Sequence, residues 1–99
     1  MPKVLVRYKV KPERVDENVS LVKAVYAELA DKRPEGLRYA TFLAEDGVTF
    51  FHLASVEGPT NPLPETAAFQ AFQKGLKDRC DEPPTPMTVT EVGSFHFFG

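Results

Sequence analysis

One stretch of the sequence decides the fold: Pro34-Glu35-Gly36-Leu37-Arg38-Tyr39-Ala40-Thr41-Phe42-Leu43. Pro34 and Gly36 end the helical pattern before them, because proline lacks the N–H that a helix needs and glycine favours conformations outside a helix. From Leu37 to Leu43 the pattern becomes that of an extended strand. The stretch therefore marks a change from helix to strand and predicts the element order βαββαβ.

A strand and an amphipathic helix come before this stretch. Val4–Val10 places an apolar side chain at every second position, which is typical of a half-buried strand. Pro12 suits the first turn of a helix, where its missing N–H costs nothing. The apolar residues that follow recur every three or four positions and form one stripe: Val15, Val19, Val22, Tyr26 and Leu29. We predict strand one over Val4–Val10 and helix one from Pro12 to about Asp31.

Asp46-Gly47 is the strongest turn signal, since both central positions of a type I′ hairpin turn need positive φ and these residues tolerate it. Strands two and three are therefore predicted to form a hairpin. With a two-residue loop, the opposed pairs are Tyr39 with Ala54, Thr41 with His52, and Leu43 with Phe50. This register places His52 on one face with Tyr39 and Phe50, whereas a three-residue loop would undo that placement.

The second half of the chain predicts a loop, a helix and a strand. Glycine and proline in Val56–Glu65 indicate an irregular loop. Thr66–Cys80 has the apolar spacing of a second helix, which Pro83, Pro84 and Pro86 would stop. Met87–Phe98 is predicted to be a long last strand with a bend at Gly93.

These elements predict one α+β domain over residues 1–99, with the ferredoxin-like βαββαβ plan: a four-stranded antiparallel sheet with both helices on one face. Phe50 and Phe51 are consecutive, as are Phe97 and Phe98, so both faces of the sheet carry large apolar groups. Because a chain this short leaves much of its surface in water, we expect a homodimer that covers the second face.

Charge and missing motifs exclude several classes of function. The net charge is −2 and the basic residues are scattered, which argues against binding to nucleic acid. No run approaches the ~18 apolar residues of a membrane span. The single Cys80 and the short N-terminal apolar run favour a cytoplasmic protein. No spacing of histidines or carboxylates predicts a metal site, and we expect no cofactor.

Three stretches make the chain resemble the dimeric α/β barrel superfamily, and most of all its antibiotic biosynthesis monooxygenase branch. They are Val10-Lys11-Pro12-Glu13, where the family leaves strand one, Pro34-Glu35-Gly36-Leu37-Arg38-Tyr39, where it enters strand two, and Ala68-Phe69-Gln70-Ala71-Phe72 in helix two. None is a catalytic signature. The resemblance spans nearly the whole chain and implies two sheets that face each other in a dimer, with a ligand cavity between each sheet and its own helices.

In the enzymes of this branch, the resemblance implies oxygenation of aromatic or quinol substrates without added metal or flavin. The sequence departs from the active patterns, since it has no tryptophan, and Phe72 stands where the family often has a histidine in helix two. The asparagine that the haem-degrading members use on strand one has no match in Val4–Val10. Ligation of haem as in those members is therefore not expected.

His52 is the predicted catalytic residue, because an ionisable group in the middle of an apolar strand needs a reason to be there. A neutral imidazole can accept a proton from a phenol or quinol and create an anion that gives an electron to oxygen. The alternative is a structural histidine that is hydrogen-bonded to the backbone or to Thr41.

The predicted substrate-binding residues are Tyr39, Phe50, Phe72 and Asn18. Tyr39, like Tyr8, can orient a ring through its hydroxyl or serve only as a sheet aromatic. Phe50 and Phe72 wall an apolar cavity or fill that space as core. Asn18 points a polar group into the cleft or is a solvated helix residue.

Two functions remain open from the sequence. One is a cofactor-independent monooxygenase that binds a small apolar or aromatic molecule between sheet and helices. The other is a non-catalytic module of the same fold for small-molecule binding or dimerisation. An open, partly polar cavity that touches His52 favours the enzyme, and a filled cleft favours the module.

Overall fold

A computed structural model describes residues 3–97 of the chain. A 3₁₀ turn at Pro12–Arg14 leads into the first helix, and another lies at Leu63–Glu65. The remaining elements are β1 (Lys3–Val10), α1 (Val15–Lys32), β2 (Leu37–Leu43), β3 (Thr49–Val56), α2 (Ala67–Gln73), α3 (Leu76–Arg79) and β4 (Cys80–Val89). All neighbouring strands are antiparallel, in the order β2-β3-β1-β4. The predicted α+β ferredoxin-like fold is confirmed.

The predicted helix-to-strand transition and the register of the hairpin are both correct. α1 ends at Lys32, and Gly36 has a φ of 78° before β2 begins at Leu37. In the ladder between β2 and β3, Tyr39 pairs with Ala54, Thr41 with His52, and Leu43 with Phe50. The hairpin therefore brings His52 to the face predicted for it.

The predicted type I′ turn is wrong. Between Ala44 and Thr49, which are joined by a backbone hydrogen bond, positive φ occurs only at Gly47. The Asp46 carboxylate accepts hydrogen bonds from the amides of Val48 and Thr49 and from the Thr49 hydroxyl, which stabilises a longer loop. Four residues separate the paired strand ends instead of two, and because the loop takes one residue from each strand, the register is unchanged.

The single helix predicted over Thr66–Cys80 is wrong, because the chain breaks it in two. α2 ends at Gln73, Lys74 is extended, and Gly75 has a φ of 77°. The guanidinium of Arg79 donates to the carbonyl oxygens of Phe72 and Lys74, which the break leaves without helical partners. Arg79 thus stabilises the break, and the chain leaves the helix at this residue.

The last strand also differs from the prediction. It begins at Cys80 and not at Met87, and it ends at Val89. Pro83, Pro84 and Pro86 lie inside it, which is possible because β4 is an edge strand and one side of it needs no ladder hydrogen bonds. Residues 90–97 are irregular, so the predicted bend at Gly93 lies outside any strand, and Phe98 lies outside the described residues.

The helices cover one face of the sheet, which we call the inner face. The buried core between them consists of Tyr8, Val10, Val22, Val25, Phe50, Leu63, Phe72 and Leu76. On the opposite, outer face, Leu5 of β1 is paired with Leu53 of β3 and with Met87 of β4. Met87 is 51% exposed. Both faces of the sheet therefore carry large apolar groups, as predicted, but Phe97 does not contribute to them as expected, because it lies in the irregular segment after β4.

Candidate active site

A cavity of about 430 Å³ lies between the inner face of the sheet and α2. Its walls come from alternate residues of β1 and β3, from the loop at residues 58–61, and from aromatic side chains of α2. A cavity of this size and mostly apolar character is typical of sites for small molecules. His52, Tyr8 and Tyr39 supply the polar groups on the sheet side of the wall, and Thr60, Asn61 and Gln73 supply those on the opposite side.

His52 is hydrogen-bonded through both of its ring nitrogens. Nε2 lies 2.7 Å from the Tyr8 hydroxyl, while Nδ1 lies 2.7 Å from the Tyr39 hydroxyl and 2.9 Å from Thr41 Oγ1. Tyr26 extends the cluster by a 2.7 Å hydrogen bond between its hydroxyl and Thr41 Oγ1. The imidazole is 5% exposed, so its position is fixed by these bonds and by packing.

The pairing of the strands explains why these side chains meet. Thr41 is directly opposite His52 across the β2–β3 ladder, and Val6 is opposite His52 across the β1–β3 ladder. Tyr39 and Tyr8 are each two residues from those partners, and residues two apart point to the same face of a sheet. Three adjacent strands therefore deliver their polar side chains to one point on the inner face.

Two residues behind the cavity complete the polar network. The side-chain amide of Asn18, on α1, donates from Nδ2 to the Tyr8 hydroxyl at 3.0 Å. Arg79, at the end of α3, donates from Nε to Asn18 Oδ1 at 3.1 Å. Asn18 is fully buried and Arg79 is 2% exposed. A continuous chain of hydrogen bonds thus runs from the buried guanidinium to His52.

Burial sets the charge states in the cluster. It lowers the pKa of His52 to about 4, because the low-dielectric surroundings disfavour the imidazolium. Burial also raises the pKa of Tyr8 and of Tyr39 well above the ordinary range for a phenol. Near pH 7 the imidazole and both phenols are therefore neutral.

The structure brings most of the predicted site residues together. His52, Tyr39 and Phe72 line the cavity, and the rings of His52 and Phe72 are 5.4 Å apart. Phe50 is 2% exposed and stacks on Tyr8 at 5.4 Å, so it supports the wall from behind. Asn18 is buried instead of solvated, and it contacts Tyr8 without lining the cavity.

The hydrogen bond to Thr41, one of the two options in the structural alternative for His52, is present. So is the open, partly polar cavity that favours an enzyme. Sequence reasoning missed Arg79 altogether, since nothing in the pattern of helix two marks it as buried. It also gave Tyr8 no link to His52, although the alternation of β1 places Tyr8 on the inner face.

Residues 3–97 contain neither a metal-binding cluster nor a membrane-spanning helix. No group of three or more histidine, cysteine, aspartate or glutamate side chains in this range could hold a metal ion. None of the helices in the same range combines the length and the apolar character needed to cross a bilayer.

Solved structures of other proteins share this fold over nearly their whole length. A protein from Nitrosomonas europaea, provisionally named an antibiotic biosynthesis monooxygenase, is 15% identical with a TM-score of 0.78, covering 94% of this chain and 100% of that one. A mutant of SnoaB, a cofactor-independent oxygenase from Streptomyces nogalater, is 14% identical with a TM-score of 0.69, covering 96% of each chain. An antibiotic biosynthesis monooxygenase of 20% identity has a TM-score of 0.67 and covers 94% of this chain and 100% of its own.

No protein-family model matches the sequence, and no curated protein matches it either. The comparisons therefore depend on three-dimensional structure, and at 14–20% identity they establish the fold and not the reaction. The chain has the fold of the antibiotic biosynthesis monooxygenase structures, as its sequence resemblance predicted.

Proposed function

We propose that the protein is a cofactor-independent monooxygenase that acts on a small aromatic or quinol-type molecule bound between sheet and helices. The observation that carries the proposal is the cavity of about 430 Å³ whose wall holds a buried, neutral His52 in contact with two phenols. The apolar walls suit a planar ring, and the hydroxyl groups of Tyr8 and Tyr39 suit its oxygen substituents.

Tyr8 connects the substrate with the base. Both ring nitrogens of His52 already have protein partners, so a direct proton transfer from the substrate would first have to break one of these bonds. The Tyr8 oxygen accepts one hydrogen bond from Asn18 and has a second lone pair for a substrate hydroxyl. In the proposed step, the substrate hydroxyl gives its proton to the Tyr8 oxygen while Tyr8 passes its own proton to His52 Nε2.

The electrons follow a balanced path. As the hydroxyl proton leaves, the ring gives one electron to dioxygen, which becomes superoxide, and the two radicals join in a new C–O bond. The proton on His52 returns to the peroxide, and loss of water leaves one oxygen atom in the product as a carbonyl. Substrate and dioxygen are the reactants, with product and water formed, and the protein ends in its starting state.

The basicity of His52 limits which substrates can react. An ordinary phenol has a pKa of about 10, and the ~6 pK units that separate it from the pKa of His52 correspond to about 8 kcal/mol. Complete proton transfer before oxidation is therefore unfavourable, and we propose that the proton leaves together with the electron. Hydroquinones, which are both easily oxidised and able to give a proton, suit this step better than simple phenols.

We further propose that the protein is a homodimer formed through the outer face of the sheet. Leu5, Leu53, Phe51 and Met87 form an apolar stripe on this face, and Met87 is half exposed in the single chain. Covering one such side chain stabilises an assembly by roughly 1.5–3 kcal/mol. A two-fold dimer is the simplest closed arrangement that covers the stripe.

The second candidate function is a non-catalytic module that binds a small molecule in the same cavity. It is favoured by the complete hydrogen bonding of His52, which is what a purely structural histidine shows. The two candidates differ in whether oxygen is consumed.

One experiment separates the two functions. The chain has three tyrosines and no tryptophan, and Tyr8, Tyr26 and Tyr39 all belong to the His52 cluster, so quenching of tyrosine fluorescence reports a ligand in the cavity. Binding of a panel of naphthoquinones is measured by quenching, and oxygen uptake with the matching hydroquinones is measured for the parent and for His52→Gln. Uptake by the parent that falls at least tenfold in His52→Gln supports the monooxygenase. Quenching without uptake supports the module, and the absence of both excludes this substrate class.

A further inference from the structure

Arg79 is a buried cation without a carboxylate partner in the described part of the chain. It is 2% exposed and forms no salt bridge among residues 3–97. Its three hydrogen bonds go to neutral oxygens: Asn18 Oδ1, the Phe72 carbonyl and the Lys74 carbonyl. A buried charge without a charged partner destabilises the folded protein. The capping of a short helix does not by itself explain why Arg79 is buried.

The guanidinium determines which way the Asn18 amide points. The guanidinium nitrogens of arginine donate hydrogen bonds and cannot accept them. The Asn18 atom 3.1 Å from Arg79 Nε therefore has to be the oxygen. The amide nitrogen then lies on the other side, 3.0 Å from the Tyr8 hydroxyl. The orientation of this amide therefore follows from Arg79 and needs no other assumption.

The direction of the next bond follows in the same way. The Tyr8 oxygen accepts a hydrogen from Asn18, and its own hydrogen has one acceptor within the described residues, His52 Nε2 at 2.7 Å. Nε2 is then without a proton, and the neutral ring carries its hydrogen on Nδ1. That hydrogen points to the oxygens of Tyr39 and Thr41, at 2.7 Å and 2.9 Å.

We propose that Arg79 is a positioning residue that fixes the tautomer of His52 through Asn18 and Tyr8. It keeps Nε2 unprotonated, as the proposed monooxygenase reaction requires. Only this link to the reaction rests on the proposed function. The tautomer itself is a property of the free protein. It can be measured whether or not the protein consumes oxygen, so failure of the proposed reaction and failure of this inference are distinguishable.

The test uses long-range ¹H–¹⁵N correlation spectra at pH 7, which distinguish a protonated from an unprotonated ring nitrogen. The chain has two histidines, and His96→Gln assigns the signals of His52. We expect the parent to show an unprotonated Nε2 and a protonated Nδ1. In Asn18→Asp the introduced carboxylate accepts from both Arg79 and Tyr8, so the Tyr8 oxygen has to accept from His52, and we expect the hydrogen to move to Nε2.

A protonated Nε2 in the parent would overturn the proposal, and so would an unchanged tautomer in folded Asn18→Asp. If Asn18→Asp does not fold, the parent spectrum still decides in which direction the hydrogen bonds between Asn18, Tyr8 and His52 run. Arg79→Met then tests whether Arg79 sets that direction. Without the guanidinium the Asn18 amide can turn over, so we expect Arg79→Met to show a mixture of both tautomers. A single tautomer identical to that of the parent would show that Arg79 does not control it.

Discussion

The hydroxyl of Tyr8 lies 2.7 Å from Nε2 of His52, on the wall of the cavity between sheet and helices. Tyr8 is 1% exposed and His52 is 5% exposed, so water competes little for this bond. It joins β1 to β3 across their ladder, and Asn18 connects it to the helical layer. The same bond therefore supports the packing of the domain and supplies the proposed route for the proton.

The burial of His52 predicts a specific dependence of stability on pH. In the unfolded chain the imidazole has its usual pKa of about 6.5, whereas burial lowers the pKa to about 4 in the folded protein. Between these values the unfolded state binds the proton and the folded state does not, so stability is lost as the pH falls. We expect the free energy of unfolding to decrease by about 2 kcal/mol from pH 7 to pH 5 because of His52.

Urea denaturation of the parent and of His52→Gln, at equal protein concentration, measures this effect. The low pKa of Asp46, about 2, makes its carboxylate sensitive only at more acidic pH, so it does not contribute in this window. The pH dependence between 7 and 5 should be smaller in His52→Gln by the same amount. Equal dependence in both proteins would mean that the imidazole is not buried in its neutral form.

Removing the Tyr8 hydroxyl should destabilise the protein more than removing that of Tyr26. Tyr8→Phe leaves His52 Nε2 and the Asn18 amide without their buried partner, and an unsatisfied buried group costs about 1–3 kcal/mol. Tyr26 is only half buried, and Thr41 keeps its hydrogen bond to His52 when the Tyr26 hydroxyl is absent. Urea denaturation of the two variants should give the larger loss for Tyr8→Phe, and the reverse order would contradict the described network.

Gly36 and Gly47 provide a matched pair of substitutions to alanine. Both have positive φ, 78° and 79°, so each alanine costs about 1–2 kcal/mol in backbone strain. At Gly36 a Cβ would lie 2.5 Å from the carbonyl oxygen of Glu57, whereas at Gly47 it would meet nothing within 4 Å. We expect thermal unfolding to show a clearly larger loss for Gly36→Ala, and equal losses would mean that Glu57 moves away freely.

Charge on the apolar stripe of the outer face should prevent the proposed dimer. In Leu53→Arg a cation would be buried between two sheets without a partner, which the assembly cannot tolerate. Ala27→Arg places the same charge on the exposed side of α1 and serves as the control. Sedimentation velocity should show a dimer for the parent and for Ala27→Arg and a monomer for Leu53→Arg. A monomeric parent would contradict the proposed assembly.

The hairpin shows how far the sequence predicts the site. Alternation of apolar residues gave the faces of β1, β2 and β3, and the parity of the hairpin loop placed Thr41 opposite His52. The loop itself was predicted incorrectly, but its two extra residues preserve the parity. Local patterns therefore suffice for contacts within a hairpin.

Contacts that depend on the arrangement of distant elements were not predictable in this way. The break at Gly75 and the burial of Arg79 depend on tertiary contacts, since a helix of this spacing is expected to keep its arginine in solvent. The three prolines of β4 indicate a loop until one knows that the strand lies at the edge of the sheet. The link from Tyr8 to His52 needs the register between β1 and β3, which are more than 40 residues apart.

Oxygen uptake in the Tyr8 variant tests the central claim most directly, namely that Tyr8 and His52 carry the proton in an oxygenation reaction. Parent, Tyr8→Phe and Tyr26→Phe are compared with the same hydroquinone, after quenching of the remaining tyrosines has shown that the cavity of each is occupied. Tyr26 belongs to the cluster but does not line the cavity, so its variant controls for disturbance of the network. The account predicts at least a tenfold lower rate for Tyr8→Phe and a rate near that of the parent for Tyr26→Phe. Equal rates in all three proteins would contradict it.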